Sequence, residues 1–127
     1  MNDLGNVGLT QGTSLATTCS AGTIKGLGKA IAEAGGTYLI TAWVNCGTGI
    51  AFESGDTFAI FINGHSTSSS SQNTFNFAHR GVPTASGEAL TACVIKSFEV
   101  RSDVYVSVIC TRSLSGLTNG LYLLRLW

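Results

Sequence analysis

Ala89-Leu90-Thr91-Ala92-Cys93-Val94-Ile95-Lys96-Ser97-Phe98-Glu99-Val100, then Arg101-Ser102, then Asp103-Val104-Tyr105-Val106-Ser107-Val108-Ile109-Cys110-Thr111 reads as two β-branched runs on either side of a short polar break. In the second run Val104, Val106, Val108 and Cys110 share one face, while Asp103, Tyr105, Ser107, Ile109 and Thr111 share the other. That period of two is the signature of a half-buried strand. The two runs are predicted to pair, and Leu121-Tyr122-Leu123-Leu124-Arg125-Leu126-Trp127 to return beside them as a closing strand.

Working outward, Thr37 to Cys46 follows Gly35-Gly36 as a strand apolar on both faces, which predicts a central position with one face on the core and the other against a second layer or subunit. Gly47-Thr48-Gly49 breaks it, and Ile50-Ala51-Phe52 and Gly55-Asp56 lead into Thr57 to Ile62, where Phe58, Ile60 and Ile62 point one way. Asn63-Gly64 predicts a hairpin turn. His65 to Asn73, polar and uncharged, predicts a projecting loop. Thr74 to Ala78 reads as a short strand, His79 to Gly87 as a further loop, and Asn119-Gly120 as a second turn before the closing strand. Ser14 to Cys19 has strand composition, with Leu15, Thr17 and Cys19 on one face. Thr23 to Ala34 is too rich in glycine for a stable helix and reads as irregular chain feeding a strand, with a short helix at Leu27 to Ala34 as the alternative. Residues 1–13 read as an extended arm or anchor and residues 14–127 as one domain. Its short strands and regular turn signals point to an all-β, antiparallel sandwich or jelly roll.

Seven basic and seven acidic residues leave no net charge, so the chain lacks the electrostatic footprint of a nucleic-acid or anionic-membrane binder. No stretch approaches the eighteen or so apolar residues of a membrane span. Met1 to Asn6 carries no basic, apolar leader, which predicts synthesis in a cytoplasm or excision from a longer chain. Cys19, Cys46, Cys93 and Cys110 include no Cys-x-x-Cys pair and lie away from His65 and His79, which argues against zinc, and no cofactor is expected. Three of the four sit in apolar runs, which favours reduced, buried thiols over a disulfide framework.

Gly36-Thr37-Tyr38-Leu39-Ile40-Thr41-Ala42, Ile62-Asn63-Gly64, Ser102-Asp103-Val104 and Gly120-Leu121-Tyr122-Leu123-Leu124 together resemble the tumour-necrosis-factor-like jelly roll. The likeness spans Ser14 to Trp127 and is nearest to the globular heads of complement-type collagenous proteins, with similar heads in spore-coat filaments and bacteriophage fibres. The family's Gly-Asp before the penultimate strand is Ser102-Asp103 here, and no Gly-x-y repeat precedes the domain. With no export signal, such a head looks most like a virion component: a phage capsid-decoration or head-fibre protein, or the tip of a receptor-binding fibre. Its arm would contact other virion proteins. The alternative is a lectin-like or ligand-binding module of a cellular or secreted collagen-like protein.

The resemblance implies a homotrimer in which each copy buries one sheet face. The expected contact residues are Tyr38 or Trp43, Tyr105, Tyr122, Leu124 and Trp127, against the plainer reading that these rings fill a large core. Candidate receptor- or glycan-facing residues are His65, Ser66, Ser69, Gln72 and Asn73 in one loop and His79 and Arg80 in the next. Arg80 also suits a carboxylate or phosphate, with a strand-end cap as its alternative role. Glu53 with Asp56, and Glu99 with Asp103, are the only carboxylate pairs with catalytic or calcium-binding spacing, and both read better as solvated turns. No nucleophile motif is present, and no enzymatic activity is expected.

Overall fold

The computed structural model describes residues 8–46, 53–66, 73–81 and 89–127. Val104, Val106, Val108 and Cys110 are all buried, as their alternation requires, on a strand at the middle of a sheet. In chain order the strands are β1 (Leu9–Gln11), β2 (Thr13–Ser14), β3 (Lys25–Ala32), β4 (Thr37–Asn45), β5 (Phe58–Ser66), β6 (Asn73–Arg80), β7 (Ala89–Ser97), β8 (Ser102–Cys110) and β9 (Thr118–Arg125). They form two antiparallel sheets, ordered β1-β9-β4-β7 and β2-β3-β8-β5-β6. With the short β2 set aside, the order is first-eighth-third-sixth in one sheet and second-seventh-fourth-fifth in the other, a jelly-roll sandwich.

The core lies between the sheets. Ile40, Ala42, Val44, Leu121 and Leu123 from the four-stranded sheet meet Leu27, Ile60, Ile62, Val104, Val106 and Val108 from the other. Full burial of each large aliphatic contributes about 1.5–3 kcal/mol. β4 is central, as its two apolar faces predict, paired with β7 on one side and β9 on the other. At one end of the sandwich three rings close the core edge to face. Tyr38 and Phe98 have centroids 5.8 Å apart, and Phe98 and Phe75 5.5 Å. The β3–β4 connection turns at Gly35, whose φ of 81° is open to glycine and strained for other residues, and Phe98 is held there by backbone bonds to Gly35 and Gly36.

Several expectations are corrected. The runs from Ala89 and Asp103 do not pair: β7 borders β4 in one sheet, and β8 lies between β3 and β5 in the other. The chain crosses between the sheets over Phe98 to Arg101, and Ser102 of the expected Arg101-Ser102 break already belongs to β8. Thr23 to Ala34 is neither irregular nor helical over most of its length, because β3 pairs with β8 from Lys25 to Ala32 around a bulge at Gly26/Gly28. A Cβ on Gly28 would land on the Asn119 side chain, so this glycine serves close packing. Only Ser14 of the expected 14–19 strand is in a strand, although Cys19 bridges Leu114. Where an extended arm or anchor was expected, Leu9–Gln11 pair with β9 and Thr13 with β3 as edge strands of the sandwich; residues 1–7 lie outside the described residues.

Both Asn-Gly dipeptides lie inside strands, with no positive φ at either glycine. Gly64 pairs directly across from Phe75, and Gly120 from Trp43. A Cβ at either glycine would land on the facing ring. Each glycine makes room for an aromatic side chain, and the strand continues where a turn was expected.

Candidate functional site

The outward positions of the four-stranded sheet fall into register as rows. Leu9, Leu124, Leu39 and Ile95 are successive cross-strand neighbours over β1, β9, β4 and β7. Gln11, Tyr122, Thr41 and Cys93 form the next row, and Gly120, Trp43 and Thr91 the one after. The alternation that buries Ile40, Ala42, Val44, Leu121 and Leu123 forces these residues onto the opposite face. Leu124 and Leu39 are half-buried, whereas Leu9 and Ile95, at the sheet's two edges, are 51% and 61% exposed. None of these outward positions on the described strands carries Asp, Glu, Lys or Arg. The result is one apolar row across an uncharged sheet face.

This face gathers Trp43, Tyr122 and Leu124 from the expected contact set. Tyr38 is excluded: it is 3% exposed on the core side, where its hydroxyl accepts the Glu33 N–H at 3.1 Å. Tyr105 lies on the outer face of the other sheet, beside Lys29 and Asp103, which form an ion pair at 3.6 Å. Trp127 is anchored through its carbonyl by the Thr37 N–H, but 75% of its surface is exposed, so its own core does not hold the ring. Leu9, Leu39 and Ile95 were not singled out from sequence. Leu9 sat in a segment read as an arm, while the alternation of Leu39 with Tyr38 and Ile40, and of Ile95 with Val94, contained the signal.

The receptor-facing candidates separate. His65 and Ser66 end β5 and Asn73 begins β6, so these three are strand residues in place of loop residues. Ser69 and Gln72 lie outside the described residues, as do 47–52 and 82–88 of the other expected breaks and loops. His79 and Arg80 close β6, again on a strand, at the other end of the sandwich from Asn73. Eight residues of strand put about 23 Å between them, so one compact ligand does not touch both groups. Arg80 lines a shallow recess with Asp56 and Thr57.

Three of the four paired carboxylates are already engaged. Arg112 donates through Nε to Asp56 and through its terminal nitrogen to Glu53 at 3.0 Å. Asp56 also accepts the Glu53 N–H at 2.6 Å and the Thr111 hydroxyl at 3.0 Å. The bond from Arg112, then that from the Glu53 N–H, holds the Asp56 carboxyl below its ordinary value. Asp103 faces Lys29, away from Glu99. All four cysteines are free, and three are buried. Cys93 is the correction, lying exposed on edge strand β7. Burial, with the Cys110 thiol nearby, pushes the Cys46 thiol up to about 11. Among the described residues no three His, Cys, Asp or Glu side chains form a metal-binding group, and no helix is long and apolar enough to cross a membrane.

Comparison of the chain with protein-family models, curated proteins and solved structures gives no match.

Proposed function

We propose that the protein is a non-enzymatic structural head that works as a homotrimer, burying the outer face of its four-stranded sheet. In this reading it serves in a virion, as a capsid-decoration or head-fibre protein or as the tip of a receptor-binding fibre. The observation that carries the assembly is the row Leu9, Leu124, Leu39 and Ile95 on a face without charge. Identical copies meet there without like-charge repulsion. The row's most exposed members stand at opposite edges, so one copy's β1 edge can meet the next copy's β7 side. Such a head-to-tail contact closes into a ring when the rotation allows. The number three and the virion setting draw on the sequence likeness. The engagement of Glu53, Asp56 and Asp103 by Arg112 and Lys29 supports a role without catalysis.

Sedimentation equilibrium at micromolar concentration tests the assembly: a mass of three chains is expected, and a stable monomer counts heavily against it. Immunogold labelling of assembled particles tests the setting. Label on particles supports a virion role, and label confined to unassembled protein removes it.

A further inference from the structure

At the end of the sandwich closed by Tyr38, Phe98 and Phe75, a cavity of about 270 Å³ opens where β7 crosses towards β8. Among the described residues, Phe75 and Phe98 supply its aromatic wall, and Lys96, Ser97, Glu99, Val100 and Ser102 also line it. Phe98 is 5% exposed and makes the floor, while Val100 stands 57% exposed at the rim. Lys96 pairs across from Tyr38, a core residue, so its side chain enters the mouth of the sandwich. Its ammonium is held over the Phe75 ring, 5.8 Å from the centroid. Among the described residues no carboxylate lies within ion-pair distance of Lys96, and Glu99 has no cationic partner. An inward lysine guards an edge strand against pairing. That role accounts for Lys96 but leaves Glu99, the cavity and its apolar wall unexplained.

We infer that this cavity binds one carboxylated sugar residue, of the uronic or sialic type, at the end of a glycan. Lys96 faces the sugar carboxylate, and a charge-assisted contact there exceeds what a neutral hydroxyl offers. Val100 takes the C–H face of the sugar ring, beside the Phe75 ring that Lys96 and Gly64 already cover. Glu99 accepts hydrogen bonds from hydroxyls beside the carboxylate, and its own charge disfavours a ligand with a second anionic group at that side. The volume is at the small end of ligand pockets, which suits a single ring. A monosaccharide held by one such contact set is expected to dissociate on the order of millimolar. The site deepens the receptor-facing reading of the head but does not rest on trimer formation.

The test is titration of the full ¹⁵N-labelled chain with glucuronate, N-acetylneuraminate, glucose and glycine at constant ionic strength, followed by amide shifts. Saturable shifts at Phe75 and at residues 96–100 are expected with at least one acidic sugar, with glucose at least 10-fold weaker. Lys96→Met, whose spectrum and melting temperature report whether it folds, should weaken acidic-sugar binding at least 10-fold. The inference is overturned if neither acidic sugar gives saturable shifts there, if glucose binds equally, if Lys96→Met binds like the parent, or if glycine binds as tightly, which would make this a zwitterion pocket. Repeating the titration on the Leu124→Glu chain separates the two proposals, because the pocket result should be the same in a monomer.

Discussion

The two outer faces of the sandwich are built on the same alternation but end in different chemistry. Over β8, β3, β5 and β6 the outward positions include Asp103, Lys29, Asn63 and Arg80 beside Phe61, Tyr105 and Ile109, with Phe61, Asn63 and Ser107 themselves buried. Here Lys29 and Asp103 neutralise one another, and the Ser107 hydroxyl donates to the Asn63 carbonyl at 2.8 Å. Over β1, β9, β4 and β7 the outward positions carry leucine, isoleucine, tryptophan, tyrosine and small neutral residues. A face that satisfies its polar groups internally needs no partner, whereas an uncharged face with an exposed apolar row gains by being covered. The period of two fixes which residues point outward.

The largest effect should come from breaking that contrast with a charge. Leu124→Glu places a carboxylate at the middle of the apolar row, and burying it unpaired costs several kcal/mol per copy. The expected result is a monomer in sedimentation equilibrium, with association weakened roughly a thousandfold or more. Arg80→Glu, on the outward side of the other sheet, should leave the mass unchanged.

Next come the two packed glycines. Gly64→Ala and Gly120→Ala each force an aromatic ring out of place, and overpacking of this kind costs about 1–3 kcal/mol. Both should lower the melting temperature by several degrees. Only Gly120→Ala, by displacing Trp43 on the assembly face, should also weaken association. Equal effects on association from the two would sink the distinction between the faces.

Thiol labelling offers a finer probe. Cys93 should react slowly in the assembled protein and quickly in the Leu124→Glu monomer, because it shares a row with Tyr122 and Thr41. Cys19, Cys46 and Cys110 should stay silent in both until unfolding. They are buried, and the thiolate is the reactive form, which the raised values of Cys19 and Cys46 suppress. Fast labelling of Cys93 in the parent chain would show that face to be uncovered.

The smallest effect lies away from both faces, at Asp56. Its folded value is depressed, so its contribution is present above the ordinary 3.8 and is lost as pH falls through the folded value. Thermal melts taken below about pH 4 should show the parent losing stability on this account, with Asp56→Asn lacking that part of the acid limb. A parallel acid limb in the variant would remove the assignment.

Much of the fold was legible because burial follows a simple period. Val104, Val106, Val108 and Cys110 declared a core strand, and Thr37 to Cys46 declared a central one, through alternation that local sequence contains in full. β3 was hidden because Gly26, Gly28 and Ala30 give no large apolar signal; the small size of Gly28 answers to Asn119 and Val106, and that of Gly26 to Tyr105, far along the chain. Likewise Asn63-Gly64 and Asn119-Gly120 follow the local rule for turns, and only the facing rings of Phe75 and Trp43 override it. The assignment of β7 and β8 to different sheets is a matter of topology, which two adjacent alternating runs do not specify. Of the proposed assembly face, the residues on β9 and β4 were readable as surplus apolar surface. Leu9 was not, because its strand is three residues long and exists only by pairing with β9.

The placement of the two Asn-Gly pairs also bears on chemical ageing. In a mobile turn an asparagine followed by glycine cyclises readily: the glycine nitrogen attacks the side-chain amide carbon, ammonia leaves, and water opens the resulting succinimide to aspartate or isoaspartate. Here each pair is drawn out in a strand, and the Asn63 side chain is occupied by Ser107 and that of Asn119 by the Leu27 carbonyl. The dipeptides that look most perishable in the chain are thus kept from the geometry that would spoil them, and stored protein should accumulate acidic isoforms at those two positions only as fast as it unfolds.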